Sequence, residues 1–127
     1  MDNELSQRVI GCAFEVSNTL GAGFLEQVYE KALCVELENV GLSFYCQKPV
    51  AVKYKDVIVG DYVTDIIVED SLLLELKAVS VMPAVYQAQL INYLKATGLS
   101  HGLLLNFGTP KLGIKRMIWN HNETSRN

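Results

Sequence analysis

The chain has 127 residues, half of them hydrophobic, and a formal net charge of −3. This length suits one compact domain, expected to span residues 1–127, and the apolar fraction supplies a core, which excludes wholesale disorder. The acidic balance excludes a global electrostatic pull toward nucleic acid, so any such contact needs a local basic patch.

Three cysteines, Cys12, Cys34 and Cys46, are an odd number with no C-x-x-C spacing, which argues against a disulfide framework and a structural zinc site. The opening MDNELSQR has two acids and no long apolar run, unlike a signal peptide. No segment reaches the roughly 18 uninterrupted apolar residues of a membrane span. A soluble, cytoplasmic protein is expected.

In chain order, Leu5, Val9, Ile10, Ala13, Val16 and Leu20 recur at three- and four-residue intervals and predict an amphipathic helix over 4–20. Gly21-Ala22-Gly23 breaks it. A second helix, FLEQVYEKALCVELENV, stops at Gly41 in the manner of a C-cap glycine. From Phe44 the period changes. PVAVKYKDVIVG reads as strand, Lys55-Asp56 turn and return strand, with Gly60-Asp61 as a further turn. DYVTDIIVED leads into the next strand, and Glu69-Asp70-Ser71 turns into LLLELKAV. Pro83 precedes a helix, AVYQAQLINYLKATG, ended by Gly98. HGLLLNFG is a buried strand, IKRMIW an edge strand, and residues 119–127 a frayed tail. The order α-α-β-β-β-α-β-β describes an α/β unit with a mixed central sheet flanked by helices.

The strand Ser71–Val81 carries Glu75 and Lys77 among leucines, where charges are costly to bury without partners. Residues two apart in a strand share a face. Glu75 and Lys77 therefore project together, opposite an apolar face of Leu72, Leu74, Leu76 and Ala78. A three-residue turn at 69–71 would pair Val68 with Leu72 and Ile66 with Leu74, and set Asp65 opposite Glu75. A two-residue turn would put Asp65 on the other face. Two carboxylates at cross-strand distance repel each other unless a cation sits between them. Mg²⁺ or Mn²⁺ needs only one or two carboxylates, and a neighbouring lysine supports charge building on a phosphate. An edge-strand salt bridge is the alternative reading of Glu75 and Lys77.

Asp65 followed by Glu75-x-Lys77 on the next strand resembles the PD-(D/E)XK nuclease superfamily. Its restriction-endonuclease-like α-β-β-β-α-β core matches the element order once the first helix is set aside. GAGFLEQVYE, with Gly23, Glu26 and Tyr29 as G-x-x-E-x-x-Y, together with LELKAV and AQLINYLKATG, is similar to the GxxExxY family of that superfamily. The resemblance covers about Val9 to Met117. It implies that Asp65, Glu75 and the backbone carbonyl of Leu76 hold the metal, that Lys77 is catalytic, and that Glu26 approaches the metal from its helix. It further implies that Gln89 and Tyr93 form the Q-x-x-x-Y motif of the following helix. Spacing alone puts those two on one helix face. Two departures stand out: Thr64 replaces the first-motif proline, and Glu15-Val16-Ser17 lacks the histidine often found there.

Other readings stand beside these. Glu26 is also explained as a first-turn acid favoured by the helix dipole, and Tyr29 and Tyr93 as packing residues with hydrogen-bonded hydroxyls. His101 is read as structural. Lys111, Lys115 and Arg116 are candidates for nucleic-acid contact, or lysine guards on an edge strand. The leading expectation is a Mg²⁺- or Mn²⁺-dependent nuclease acting on DNA rather than RNA. The alternatives are a catalytically silent nuclease-fold module that binds nucleic acid or a protein partner, and a homodimer compatible with either.

Overall fold

The computed structural model describes residues 3–121, and the elements run α1 (Asn3–Leu20), α2 (Glu26–Asn39), β1 (Phe44–Cys46), β2 (Pro49–Tyr54), β3 (Val57–Val63), β4 (Ile66–Val68), β5 (Leu72–Lys77), α3 (Val85–Thr97), β6 (His101–Asn106) and β7 (Gly113–Ile118). The helices follow their apolar periodicity closely. Gly41 and Gly98 close α2 and α3 with φ of 78° and 80°, a region that costs glycine nothing.

Five strands form the central sheet in the order β1-β4-β5-β6-β7. β4 and β5 are antiparallel, and α3 provides the crossover that makes β5 and β6 parallel. The anticipated three-residue turn is present. Glu69 and Asp70 take left-handed φ of 53° and 52°, and Val68 pairs with Leu72 and Ile66 with Leu74.

The sheet separates two apolar layers. Leu72, Leu74 and Leu76 pack with Leu103 and Leu105 against Val9, Ala13, Tyr29 and Leu33 of α1 and α2. Leu73 and Leu104 face the other way, onto Leu90 and Leu94 of α3. Strand alternation thus makes a helix–sheet–helix sandwich, and puts Glu75 on the α3 side of β5.

Two strand expectations need correction. Phe44–Cys46 forms a short edge strand of its own and the hairpin over 49–63 supplies two strands beside β4 and β5, so five strands rather than three precede α3. Gly60-Asp61 is no turn: β3 runs through it, and a bulge absorbs one extra residue where pairing jumps from Val52–Gly60 to Lys53–Ile58. The chain leaves the central sheet at Lys48 and returns at Thr64. There the Thr64 N–H donates to the Lys48 carbonyl at 3.0 Å, and the Lys48 N–H donates to the Thr64 hydroxyl at 3.2 Å. Between these points β2 and β3 form a separate two-stranded sheet. Its turn at Lys55-Asp56 is as expected, both residues taking positive φ.

The expected tail from 119 onward lies mostly outside the described residues. Its first part is fastened: Trp119 N–H donates to the Ser100 carbonyl at 2.8 Å, and a ring nitrogen of His121 lies 2.7 Å from the Leu99 carbonyl. Among the described residues no helix is long and apolar enough to cross a membrane.

Candidate active site

The ladder between β4 and β5 ends at Ile66 opposite Leu74. Two residues beyond Leu74, the Leu76 N–H points to the β4 side and donates to Oδ2 of Asp65, the residue before Ile66, at 2.8 Å. Lys77 uses its other edge, its carbonyl accepting from Phe107 N–H at 2.8 Å. Backbone groups alternate in this way along a strand, so the Leu76 carbonyl also lies toward Asp65, beyond the end of the ladder. Asp65, Glu75 and the Leu76 main chain are therefore neighbours at one strand end.

Glu75 is buried at 6% exposure although it carries a carboxylate. Burial and the nearby Asp65 push its carboxyl up to about 7. Burial also raises Asp65, against the opposing effects of the Leu76 hydrogen bond and Lys77. The Glu75 carboxylate accepts a hydrogen bond from the Tyr62 hydroxyl. Tyr62 in turn stacks on Tyr93, with ring centroids 3.5 Å apart and planes at 14°. Tyr93 is thus tied to the site through Tyr62.

Lys77 extends to the ring of Tyr86, its ammonium 4.3 Å from the centroid. Tyr86, Gln89 and Tyr93 follow one another at three- and four-residue spacing on α3, so half-buried Gln89 occupies the face between the two tyrosines that meet Lys77 and Tyr62. Asn106, opposite Lys77 in the parallel ladder, ties down the chain after β5. Its side chain accepts from the Val79 and Gly108 N–H groups at 3.1 and 3.0 Å and donates to the Val79 carbonyl at 3.0 Å.

α2 starts beside the same strand ends. The Tyr29 ring stacks on Phe107 at 4.9 Å, and its hydroxyl donates to the Gly21 carbonyl at 2.6 Å while accepting from Phe24 N–H at 3.1 Å. Gly23, with φ of 116°, makes the bend that this lock encloses. The G-x-x-E-x-x-Y pattern thereby acquires a physical meaning: glycine and tyrosine fix the loop, and Glu26 is held at the rim of the site. Partial burial and Asp65 raise the Glu26 carboxyl, while Lys77 opposes them. Glu30 lies one turn on, also raised by burial and Asp65, and accepts from Gln47 Nε2 at 2.7 Å. Glu26, Gln27, Glu30, Lys31, Gln47 and Asp65 line an open cleft of about 430 Å³.

Other candidates are not brought together. Arg116 and Lys115 alternate on β7, and Arg116 donates to Ser6 of α1 at 2.8 Å, so it lies on the face opposite Glu75. Lys111 belongs to the loop between β6 and β7. The three do not form one basic face, because adjacent strand residues point to opposite sides. His101 pairs with Leu72 at the far end of β5 and lies outside the site.

Sequence reasoning missed Tyr62, Glu30 and Gln47. Glu30 carries a usable signal, since it stands four residues after Glu26 on the same helical face. Tyr62 carries none, because its contact depends on where the hairpin folds back.

The donor set suits a hard divalent cation, being all oxygen with two carboxylates that burial pushes up, Glu75 further raised by Asp65. Among the described residues, no three His, Cys, Asp or Glu side chains converge as a complete cation cage. A hard divalent ion that keeps several waters needs only one or two carboxylates.

A mixed sheet between helices, with two carboxylates and a lysine at the end of its central strands, defines a nuclease-like α/β fold. Residues 3–117 match the family model of the PD-(D/E)XK nuclease superfamily, and the chain belongs to that superfamily. Neither the curated proteins nor the solved structures gave a match.

Proposed function

We propose that this chain is a divalent-metal-dependent nuclease of the GxxExxY type that hydrolyses phosphodiester bonds, with DNA favoured over RNA by analogy alone. The observation that carries the reading is the carboxylate pair Asp65 and Glu75 beside Lys77, on the buried strand end where Asp65 binds the Leu76 N–H. Asp65, Glu75 and the Leu76 carbonyl would hold Mg²⁺ or Mn²⁺, with Glu26 at the rim. The bound ion supplies Lewis acidity toward water and a phosphate oxygen.

The protein's own groups do the rest. The Lys77 ammonium, held against Tyr86, offers positive charge to a phosphate entering beside Glu75. Gln89 presents amide donors and an acceptor suited to orienting water. Tyr93 holds Tyr62 in place and through it Glu75. We place the protein in the cytoplasm, as a single nuclease-like unit over 1–127. The exposed apolar residues Tyr54, Val57, Ile58 and Val59 of the hairpin support self-association as a homodimer.

One observation favours a second reading, a catalytically silent module that binds nucleic acid or a protein partner. Tyr62 already satisfies Glu75, as a purely structural buried carboxyl would require. Calorimetry with Mn²⁺ separates the two. Saturable binding to the wild type that is lost in a folded Asp65→Ala/Glu75→Ala variant supports the nuclease. Cleavage of DNA or RNA should then fall by about 100-fold or more in Lys77→Ala. Absence of Mn²⁺ binding, even with an oligonucleotide present, supports the silent module.

A further inference from the structure

Cys34 on α2 and Cys46 at the end of β1 are free thiols whose sulfurs lie 2.8 Å apart. A disulfide bond is about 2.05 Å long, so closing this pair needs a shift of less than an ångström. A second contact fixes the same junction. Gln47, next to Cys46, bonds Glu30 one helical turn before Cys34, and its N–H donates to the Asp65 carbonyl at 3.0 Å. Helix and strand are thereby held in register at the point where the sulfurs meet.

The two thiols differ in access. Cys46 is exposed and Cys34 half-buried, while the third cysteine, Cys12, is buried on α1. We propose that Cys34 and Cys46 form a reversible thiol–disulfide site, oxidised within one chain by hydrogen peroxide and reduced again by a small dithiol. This goes beyond the nuclease reading and does not depend on it.

The exposed Cys46 sulfur attacks one peroxide oxygen as a thiolate. The O–O bond breaks, water leaves after protonation, and Cys46 becomes a sulfenic acid. The Cys34 sulfur then attacks the Cys46 sulfur, the S–S bond forms, and the sulfenic oxygen leaves as a second water carrying the Cys34 proton. Two thiols lose two electrons and the peroxide gains them. Burial and the neighbouring Cys46 push the Cys34 thiol up to about 12, which leaves the exposed Cys46 as the thiol that meets the peroxide first. The bond would fasten α2, with Glu26 and Glu30, to the strand end beside Asp65. A dithiol reverses it by exchange, itself becoming a disulfide.

The test titrates the reduced full-length protein with hydrogen peroxide, alkylates the remaining thiols, and reads intact mass and non-reduced peptide maps. The expected result is a fall from three alkylated cysteines to one, Cys12, independent of protein concentration and reversed by dithiothreitol. Cys34→Ser should instead accumulate Cys46 sulfenic acid or Cys46-linked dimers. The proposal is overturned if all three thiols of the wild type survive excess peroxide. It is equally overturned if Cys46 reaches sulfinic acid while Cys34 stays alkylatable, or if the only disulfide formed joins two chains.

Discussion

Asp65 accepts its hydrogen bond from the N–H of Leu76, the residue after Glu75, so a single 2.8 Å contact fixes one carboxylate relative to the strand that carries the other. An amide oxygen can accept the same bond. Asp65→Asn should therefore fold with at least wild-type metal-free stability, since it also removes the charge facing Glu75, and should lose Mn²⁺ binding. Asp65→Ala, which orphans the Leu76 N–H, should cost about 1–3 kcal/mol beyond Asp65→Asn. Urea denaturation and calorimetry on both variants check this. Equal stability of the two would show that the hydrogen bond contributes little.

Glu75 makes metal-free stability depend on pH. Its folded value of about 7 lies above the ordinary 4.5. Below the unfolded value both states are protonated and the contribution is fully present. As pH rises toward the folded value, the unfolded chain releases its proton first, and stability is lost. The loss should be on the order of 3 kcal/mol between pH 4.5 and pH 8. Glu75→Gln, neutral throughout, should flatten that part of the curve. Parallel denaturation curves for both proteins across this range would remove Glu75 as the cause.

The Tyr62 hydroxyl supports the ionised form of Glu75, while its ring supports Tyr93. Tyr62→Phe retains the stack and deletes only the donor. At pH 8 the variant should be about 1.5–3 kcal/mol less stable, the range for a hydrogen bond to a charged group, and clearly less affected at pH 4.5. The pH midpoint of the Glu75-dependent loss should move upward. A pH-independent cost would mean that the hydroxyl serves packing rather than the carboxylate.

Gly108 touches the chain that follows Lys77. A Cβ there would lie 2.2 Å from the Val79 nitrogen and 2.4 Å from its carbonyl oxygen, both main-chain atoms that cannot rotate away. Gly108→Ala should cost about 1–3 kcal/mol or more through a forced backbone shift. It should also loosen the Asn106 contacts to Val79. Gly11, within α1 and with open space around it, is the contrast: Gly11→Ala should gain about 0.5–1 kcal/mol. Thermal denaturation of both variants tests the pair, and a neutral Gly108→Ala would refute the close approach.

Much of this arrangement was legible along the chain. Local rules carried the three helices and their glycine stops and the turns at Lys55-Asp56 and Glu69-Asp70-Ser71. A period of two put Glu75 and Lys77 on one face, while Asp65 joined them only under the three-residue form of the turn, which the pairing of Val68 with Leu72 decides. The shift of Phe44–Cys46 into an edge strand was not legible, nor was the passage of β3 through Gly60-Asp61. Both depend on partners and bulges that strand propensity does not encode.

The sequence by itself therefore determined the layer order and the shared face of Glu75 and Lys77, because helix and strand periodicity act between residues a few positions apart. Tertiary structure alone decided that Tyr62 meets Glu75 and stacks on Tyr93, that Glu30 and Gln47 wall the cleft, and that Cys34 touches Cys46. Each of these contacts joins elements whose approach is set by packing of the whole core and by the departure of the hairpin between Lys48 and Thr64. No local pattern specifies that path.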